Sequence, residues 1–179
     1  MAAPSDFSAK AEGDRTLSQA RDAALRFISY RSRSEAEVRR RLSRQYPEPV
    51  IEQVVTGLRA DGSLDDSAFA RLWRRHREQH RPRGQRLLKQ ELYRLGVDRE
   101  TAEEALEGYD DADNAYRAGF KFARSMRSRA YSEEVFRRRL WGYLQRRGFP
   151  YSLARGVVDQ LWQELTADPL DRDEDSEDQ

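Results

Sequence analysis

His76 and His80 stand four residues apart in the segment HREQH, the spacing that places two imidazoles on one side of a helix. Zinc-dependent hydrolysis on such a helix needs H-E-x-x-H, with the glutamate placed to activate metal-bound water. Here Glu78 falls midway between the histidines and points away from them, and no third ligand is evident. Packing or surface roles are expected for both. Asp65 and Asp66 are adjacent carboxylates beside the Gly62 turn, and paired acids can hold a metal or exchange protons. They stand where a helix start wants an acceptor and negative charge, with no partner constellation around them, so capping is their expected role. The glycines form neither GxGxxG nor GxxxxGK, which leaves no phosphate cradle of the usual kind. The chain is expected not to be an enzyme and to need no metal or cofactor.

Arginine is the stronger chemical signal. Thirty of the 33 basic residues are arginine, whose planar five-donor fork suits phosphate and carboxylate. The formal net charge of +1 conceals an asymmetry, because residues 168–179 hold seven carboxylates and one arginine, a net of −6. The remainder therefore carries +7, which implies attraction to nucleic acid or to an acidic protein face. The basic residues are distributed over Arg39–Arg41, Arg71–Arg94 and Arg137–Arg147. Asparagine and glutamine, which read adenine edges, are scarce among them. A dispersed basic track suits backbone contact or an extended acidic groove better than base reading in a major groove. Trp73, Trp141 and Trp162 lie among the arginines, either as core anchors or as stacking platforms and interface anchors. Trp141, beside Leu140 and outside the narrowest apolar stripe, is the best interface candidate.

Helices must carry these groups. In Asp66–His80, Phe69, Leu72, Trp73 and His76 share a side by 3.6-residue periodicity. After the basic break Arg81-Pro82-Arg83-Gly84, Leu88, Leu92 and Leu95 make a second stripe, with Leu87 beside it. Neither stripe is wide enough to stand alone, so the flanks must supply partners. Upstream, Leu17, Ala20, Ala24, Phe27 and Ile28 mark a helix over Leu17–Tyr30. Ser34-Glu35-Ala36-Glu37 then reads as a capping box ahead of Val38 and Leu42. Pro47 closes that helix, Pro49 opens the next, and Val50, Ile51, Val54, Val55 and Leu58 drive it to Asp61-Gly62. Downstream, Asp98 caps a short helix with Ala102, Ala105 and Leu106. Ala112, Ala115, Tyr116, Gly119, Phe120 and Ala123 line a longer one. Ser132 and Ser152 are candidate caps for helices carrying Phe136, Leu140 and Leu144, then Val157, Val158, Leu161, Trp162 and Leu165.

The pattern repeats. Leu42, Leu92 and Leu144 precede a break at intervals of 50 and 52 residues, and Val55, Leu106 and Val158 follow it at 51 and 52. Gly96 and Gly148 stand in the second and third breaks, where the first has Gln45-Tyr46-Pro47, so the first turn must differ. The expected fold is all-α, an elongated array of three tandem three-helix repeats of helix-turn-helix-like form. The expected segments are a lead-in (1–14), repeats over 15–62, 63–108 and 109–167, and an acidic disordered tail (168–179). Low mean hydropathy, −0.99, fits thin cores. Cysteine is absent, no apolar run nears the ~18 residues of a membrane span, and the polar N-terminus lacks a signal-peptide core. A soluble intracellular protein, not bound to membranes, is the resulting expectation.

The chain resembles the RecX family, bacterial modulators of the RecA recombinase. The resemblance rests on ALRFISYRSRSEAEVRRRL (24–42), GSLDDSAFARLW (62–73), RPRGQRLLKQEL (81–92) and LQRRGF (144–149), in that order. It implies tandem three-helix repeats and binding along the groove of RecA–single-stranded-DNA filaments, with suppression of ATP hydrolysis, strand exchange and coprotease activity. For some members it also implies binding to single-stranded or duplex DNA, and it implies a bacterial, cytoplasmic protein, monomeric when free. Carried over by motif, the family surface falls on Tyr30, Arg31, Arg33 and Ser34, on Asp65, Asp66, Phe69 and Trp73, on Arg81, Pro82, Arg83 and Gly84, and on Arg146, Arg147, Gly148 and Phe149. Among these, a core role is expected for Phe69 and a capping role for Gly148. Further candidate contacts with RecA or DNA are Arg39, Arg40, Arg74, Arg75, Arg86, Lys89, Arg137, Arg138 and Trp141.

Overall fold

The computed structural model of the protein describes residues 4–126 and 131–167. Within them the chain is all-α: α1 (Pro4–Ser29), α2 (Glu35–Leu42), α3 (Glu48–Ala60), α4 (Asp66–His80), α5 (Gln85–Arg94), α6 (Arg99–Ala105), α7 (Asp111–Met126), α8 (Glu133–Arg146) and α9 (Tyr151–Ala167). The nine helices fall into three tandem three-helix repeats. By contacts, the described chain divides differently, into one compact unit of residues 4–73 with 90–107 and another of 74–89 with 108–126 and 131–167. The division passes through α4 after Trp73 and through α5 after Lys89, so two of the middle repeat's three helices are divided between the units.

In the first unit, Ala20 and Ala24 of α1 are fully buried against Val38 and Leu42 of α2 and Ile51, Val54, Val55 and Leu58 of α3. Two alanines one turn apart let three helices meet closely, and each buried Leu or Ile beside them contributes about 1.5–3 kcal/mol. α1 begins at Pro4, well inside the expected lead-in; residues 4–14 continue the helix although they carry no apolar stripe. Proline is tolerated there because the first turn has no carbonyl waiting for its missing N–H. The expected acidic tail, 168–179, lies outside the described residues.

The breaks behave as two kinds of turn. Gly96 (φ 88°) and Gly148 (φ 81°) are left-handed, and the Val97 and Phe149 amides return to the Leu92 and Leu144 carbonyls at 3.1 and 3.3 Å. Val97 and Phe149 then fold inward and are buried, the apolar clasp that accompanies such caps. At the first break the Gln45 and Tyr46 amides both reach the Leu42 carbonyl at 3.0 Å, and no residue turns left-handed.

Two expected faces and one expected cap are corrected. On α4, Leu72 is 45% exposed and His76 is exposed, while Phe69 and Ala70 are buried and Trp73, Arg74, Arg77 and Glu78 are half-buried. The second half of its inner face is charged: Arg74 pairs with Glu78 at 3.0 Å and lies 5.5 Å over the Tyr109 ring, so hydrophobicity alone misplaces the stripe. On α7 the buried row is Asn114, Ala115, Ala118, Gly119, Ala123 and Met126, with Ala112 and Phe120 outside it. Gly119 is needed there, because a Cβ would lie 3.0 Å from Leu161 and 3.1 Å from Val157. Ser152 does not precede α9 but lies in its first turn; the Pro150 carbonyl takes the Ala154 amide at 2.9 Å instead.

Successive repeats are joined by one device used twice. In the first unit Ser34, wholly buried at the start of α2, accepts from the Glu37 amide at 3.2 Å and donates to the Leu95 carbonyl in the next repeat's turn. Asp66, the first residue of α4, accepts from the Glu35 amide at 2.8 Å. In the second unit the Gly84 amide donates to the Arg147 carbonyl at 2.8 Å, and Asp111, the first residue of α7, accepts from the Gln85 amide at 2.7 Å. A Cβ on Gly84 would run into the Gly148 carbonyl, and one on Gly96 into the Ala36 side chain. Burial pushes the carboxyls of Asp66 and Asp111 above the ordinary carboxylate range, against the helix-start amides that favour their charge.

Candidate functional site

The acidic pair divides its labour. Asp65 caps α4 by accepting from the Ala68 amide at 2.9 Å, while Asp66 serves the joint to α2. Phe69 is core, tilted against Trp73 at 5.9 Å, and the Trp73 indole donates to the largely buried Glu91 carboxylate at 3.0 Å. Pro82 offers its carbonyl to Arg147 at 3.1 Å. Ser34, Gly84, Gly148 and Phe149 belong to the joints and turns described above. His76 and His80 are exposed with rings 4.9 Å apart. Among the described residues, no three His, Cys, Asp or Glu side chains are grouped so as to hold a metal ion.

The basic candidates separate into two sets. Some are engaged within their own unit. Arg31 pairs with Glu37 at 2.6 Å, and Arg33 lies 3.9 Å over the Phe27 ring. Arg39 binds Glu35 at 2.7 Å and Glu52 at 2.5 Å, and the Glu35 bond, supported by Glu52, raises its pKa above the ordinary guanidinium value. Arg74 pairs with Glu78 as above. Arg137 pairs with Glu133 at 2.7 Å and with Asp159, and these hydrogen bonds raise its pKa likewise. Arg147 lies 4.5 Å over the Tyr143 ring. Arg83 and Lys89 are half-buried, and the Arg83 carbonyl accepts from the Tyr109 hydroxyl at 2.6 Å. The second set, Arg40, Arg75, Arg81, Arg86, Arg138 and Arg146, is exposed, with no counter-charge among the described residues. These six lie on helices or breaks of all three repeats.

Two clefts lie within the second unit. One, about 490 Å³, is formed by Arg137, Arg138 and Trp141 of α8 with Tyr151, Arg155, Val158 and Asp159 of α9. The other, about 380 Å³, has Arg81, Arg117 and Lys121 around Phe122 and Tyr143, whose rings stack at 4.1 Å. Tyr151, Arg155, Arg117 and Lys121 were not among the sequence candidates. Helical spacing could have found the first pair, since Tyr151, Arg155 and Asp159 recur at four-residue intervals on α9.

Tandem three-helix repeats, joined at their turns and carrying exposed arginines and open clefts, define a helical-repeat protein. Family models for the first, second and third three-helix domains of RecX match residues 20–58, 65–106 and 109–158. The regulatory protein RecX of Mycobacterium avium is 36% identical over 143 residues, covering 78% of this chain and 83% of that protein. That of Chlorobium limicola is 31% identical over 151 residues, covering 84% and 94%. The crystal structure of RecX from Lactobacillus salivarius superposes with a TM-score of 0.69 at 25% identity, over 87% of this chain and 99% of that one. A second RecX crystal structure, 22% identical, shares the fold with a TM-score of 0.73 over 89% and 79%. The chain belongs to the RecX family, and both relatives above carry the name of regulatory proteins. No described helix is long and apolar enough to cross a membrane.

Proposed function

We propose that this chain modulates the RecA recombinase, mainly as an inhibitor, by binding the groove of RecA–single-stranded-DNA filaments. There it suppresses ATP hydrolysis, strand exchange and coprotease activity. The observation that carries the reading is the unpaired set Arg40, Arg75, Arg81, Arg86, Arg138 and Arg146, spread over all three repeats. Cations without internal partners are available to carboxylates or phosphates. Several modest contacts made in tandem add strongly, because each raises the effective concentration of the next. The working segments are the repeats over 15–62, 63–108 and 109–167, acting in one monomer. The test is RecA-dependent ATP hydrolysis on single-stranded DNA as the protein is titrated in. Hydrolysis should fall toward a low plateau, and an unchanged rate at saturating protein would sink the proposal.

A second reading, sequence-nonspecific binding to single-stranded or duplex DNA, is favoured by the exposed Trp141 and Tyr151 beside Arg138. Titration of labelled DNA with and without RecA separates the two. Tight binding to naked DNA with no gain from the recombinase supports this alternative.

A further inference from the structure

We propose that the α8–α9 cleft is a binding site for one unpaired nucleotide of single-stranded DNA, with Trp141 and Tyr151 taking the base and Arg138 and Arg155 the phosphate. The proposal rests on the DNA-binding reading above, which it narrows to one cleft, and it concerns a contact made by this chain alone, whether or not a recombinase is present.

Trp141 is 37% exposed and Tyr151 is 62% exposed, although both sit on helices that bury other apolar side chains well. The repeat's own core does not need them. Phe136, Leu140 and Leu144 of α8 and Val157, Val158 and Leu161 of α9 fill it, and Trp162 is the tryptophan that packs there, 5.2 Å from Phe136. The two exposed rings instead meet edge to face, 5.8 Å apart at 73°. In an edge-to-face pair one ring covers at most one face of the other, so the pairing itself does not use up the faces on which a base could stack.

Charge selects the ligand. Asp159 is the one carboxylate lining the cleft, and Arg137 already holds it. Arg138 and Arg155 are exposed and lack a counter-charge among the described residues, so the cleft retains two uncompensated cations. An acidic peptide would satisfy the guanidinium groups but would leave the aromatic pair unused. A nucleotide uses both, because it brings a π-face and a phosphate on one short unit. The volume of about 490 Å³ falls in the range of roughly 300–1,000 Å³ typical of ligand clefts. No asparagine or glutamine lines it, so any base should be accepted with little preference.

The test is fluorescence anisotropy of labelled oligo(dT) and of an abasic strand of equal length, without RecA. Wild-type protein should bind oligo(dT) more tightly than the abasic strand. Trp141→Ala should lose about 5- to 150-fold on oligo(dT), the range for one stacked base, and little on the abasic strand. Trp141→Phe should keep most of the affinity. Replacing Arg138 and Arg155 with Ala should weaken both strands alike and flatten the salt dependence by roughly one unit of slope. Circular dichroism on every variant ensures that the comparison is among folded proteins. The proposal is overturned if wild-type protein does not bind oligo(dT), if Trp141→Ala binds it unchanged, or if that variant loses both strands equally. It is also overturned if poly-glutamate competes for the cleft in a Trp141-dependent way. None of these outcomes depends on ATP hydrolysis by RecA, so this failure and that of the regulatory reading remain distinguishable.

Discussion

The Ser34 hydroxyl donates to the carbonyl oxygen of Leu95, 61 residues further along the chain, while accepting from the Glu37 amide. One atom thus caps α2 and fastens it to the following repeat. Ser34→Ala removes both bonds and leaves buried partners unsatisfied, for an expected loss of about 1–3 kcal/mol in thermal or urea melts. Ser34→Gly should be milder, since glycine serves at the corresponding place in the next repeat, Gly84. Equal stability of Ser34→Ala and wild type would show that the joint is unimportant.

Asp66 makes the neighbouring contact under an opposing constraint. Burial raises its folded-state pKa above the unfolded value, with the nearby Glu35 charge adding to the shift and its amide bond opposing it. Its contribution to stability is therefore greatest when it is protonated, below the ordinary carboxylate range, and is lost as pH rises through the elevated folded value. Asp66→Asn keeps an acceptor for the Glu35 amide and carries no charge. It should flatten the acid-side pH dependence of the melting temperature and match or exceed wild type at neutral pH. Asp66→Ala removes the acceptor and should cost about 1 kcal/mol.

Glycines give a test of the second joint with an internal control. Gly84→Ala places a Cβ against the Gly148 carbonyl, and Gly148→Ala combines a φ of 81° with a Cβ 2.6 Å from that of Leu87. Each should destabilise by roughly 1–3 kcal/mol. A Cβ at Gly156, within α9, meets nothing within 4 Å, so Gly156→Ala should stabilise by about 0.5–1 kcal/mol. Melting temperatures that failed to order in this way would refute the packing described.

Tyr109 is pushed up to about 12, chiefly by burial, with Glu78 and Asp111 adding negative charge nearby. Absorbance titration should show one tyrosine still protonated after exposed ones have ionised. Because the folded value is the higher, its share of stability holds below about 10 and disappears as pH rises through about 12. Tyr109→Phe should remove that alkaline-side loss along with the bond to the Arg83 carbonyl, at a neutral-pH cost of about 1 kcal/mol.

Paired and unpaired arginines should part company in a functional assay. Arg81→Ala with Arg86→Ala should leave stability within about 0.5 kcal/mol and weaken inhibition of RecA ATP hydrolysis several-fold. Arg39→Ala frees the exposed Glu48 and Glu52 and leaves Glu35 with Arg59 as its remaining partner, so it should lower stability by about 1 kcal/mol or less, given solvent screening. Full inhibition by the Arg81/Arg86 variant would remove that break from the binding surface.

Local physics was legible in the residues. The Ser34–Glu37 capping box, the Asp98 cap and the glycine turns at 96 and 148 are rules acting over a few positions, and the structure has all of them. The repeat followed from the spacing of Leu42, Leu92 and Leu144. Misread features depended on distant partners. Arg74 turns inward because Glu78 and Tyr109 meet it there, and hydrophobic periodicity has no place for a charged inner face. Arg39 looks like a free surface cation until α3 brings Glu48 and Glu52 beside it. The Trp141 cleft needed α9 folded against α8 before Tyr151 and Arg155 could be associated with it.

In each joint bond at least one partner is a main-chain group: the Leu95 and Arg147 carbonyls and the Glu35, Gln85 and Gly84 amides, met by the Ser34 hydroxyl, the Asp66 and Asp111 carboxylates and, once, another backbone group. Every residue type offers the same carbonyl, and nearly every type the same amide. A turn held this way can change its side chain without losing its partner, so mutation can rewrite the outward faces while the coupling between repeats persists. Such a lineage can diversify what it grips faster than how it folds, which fits a shared architecture at 25% identity.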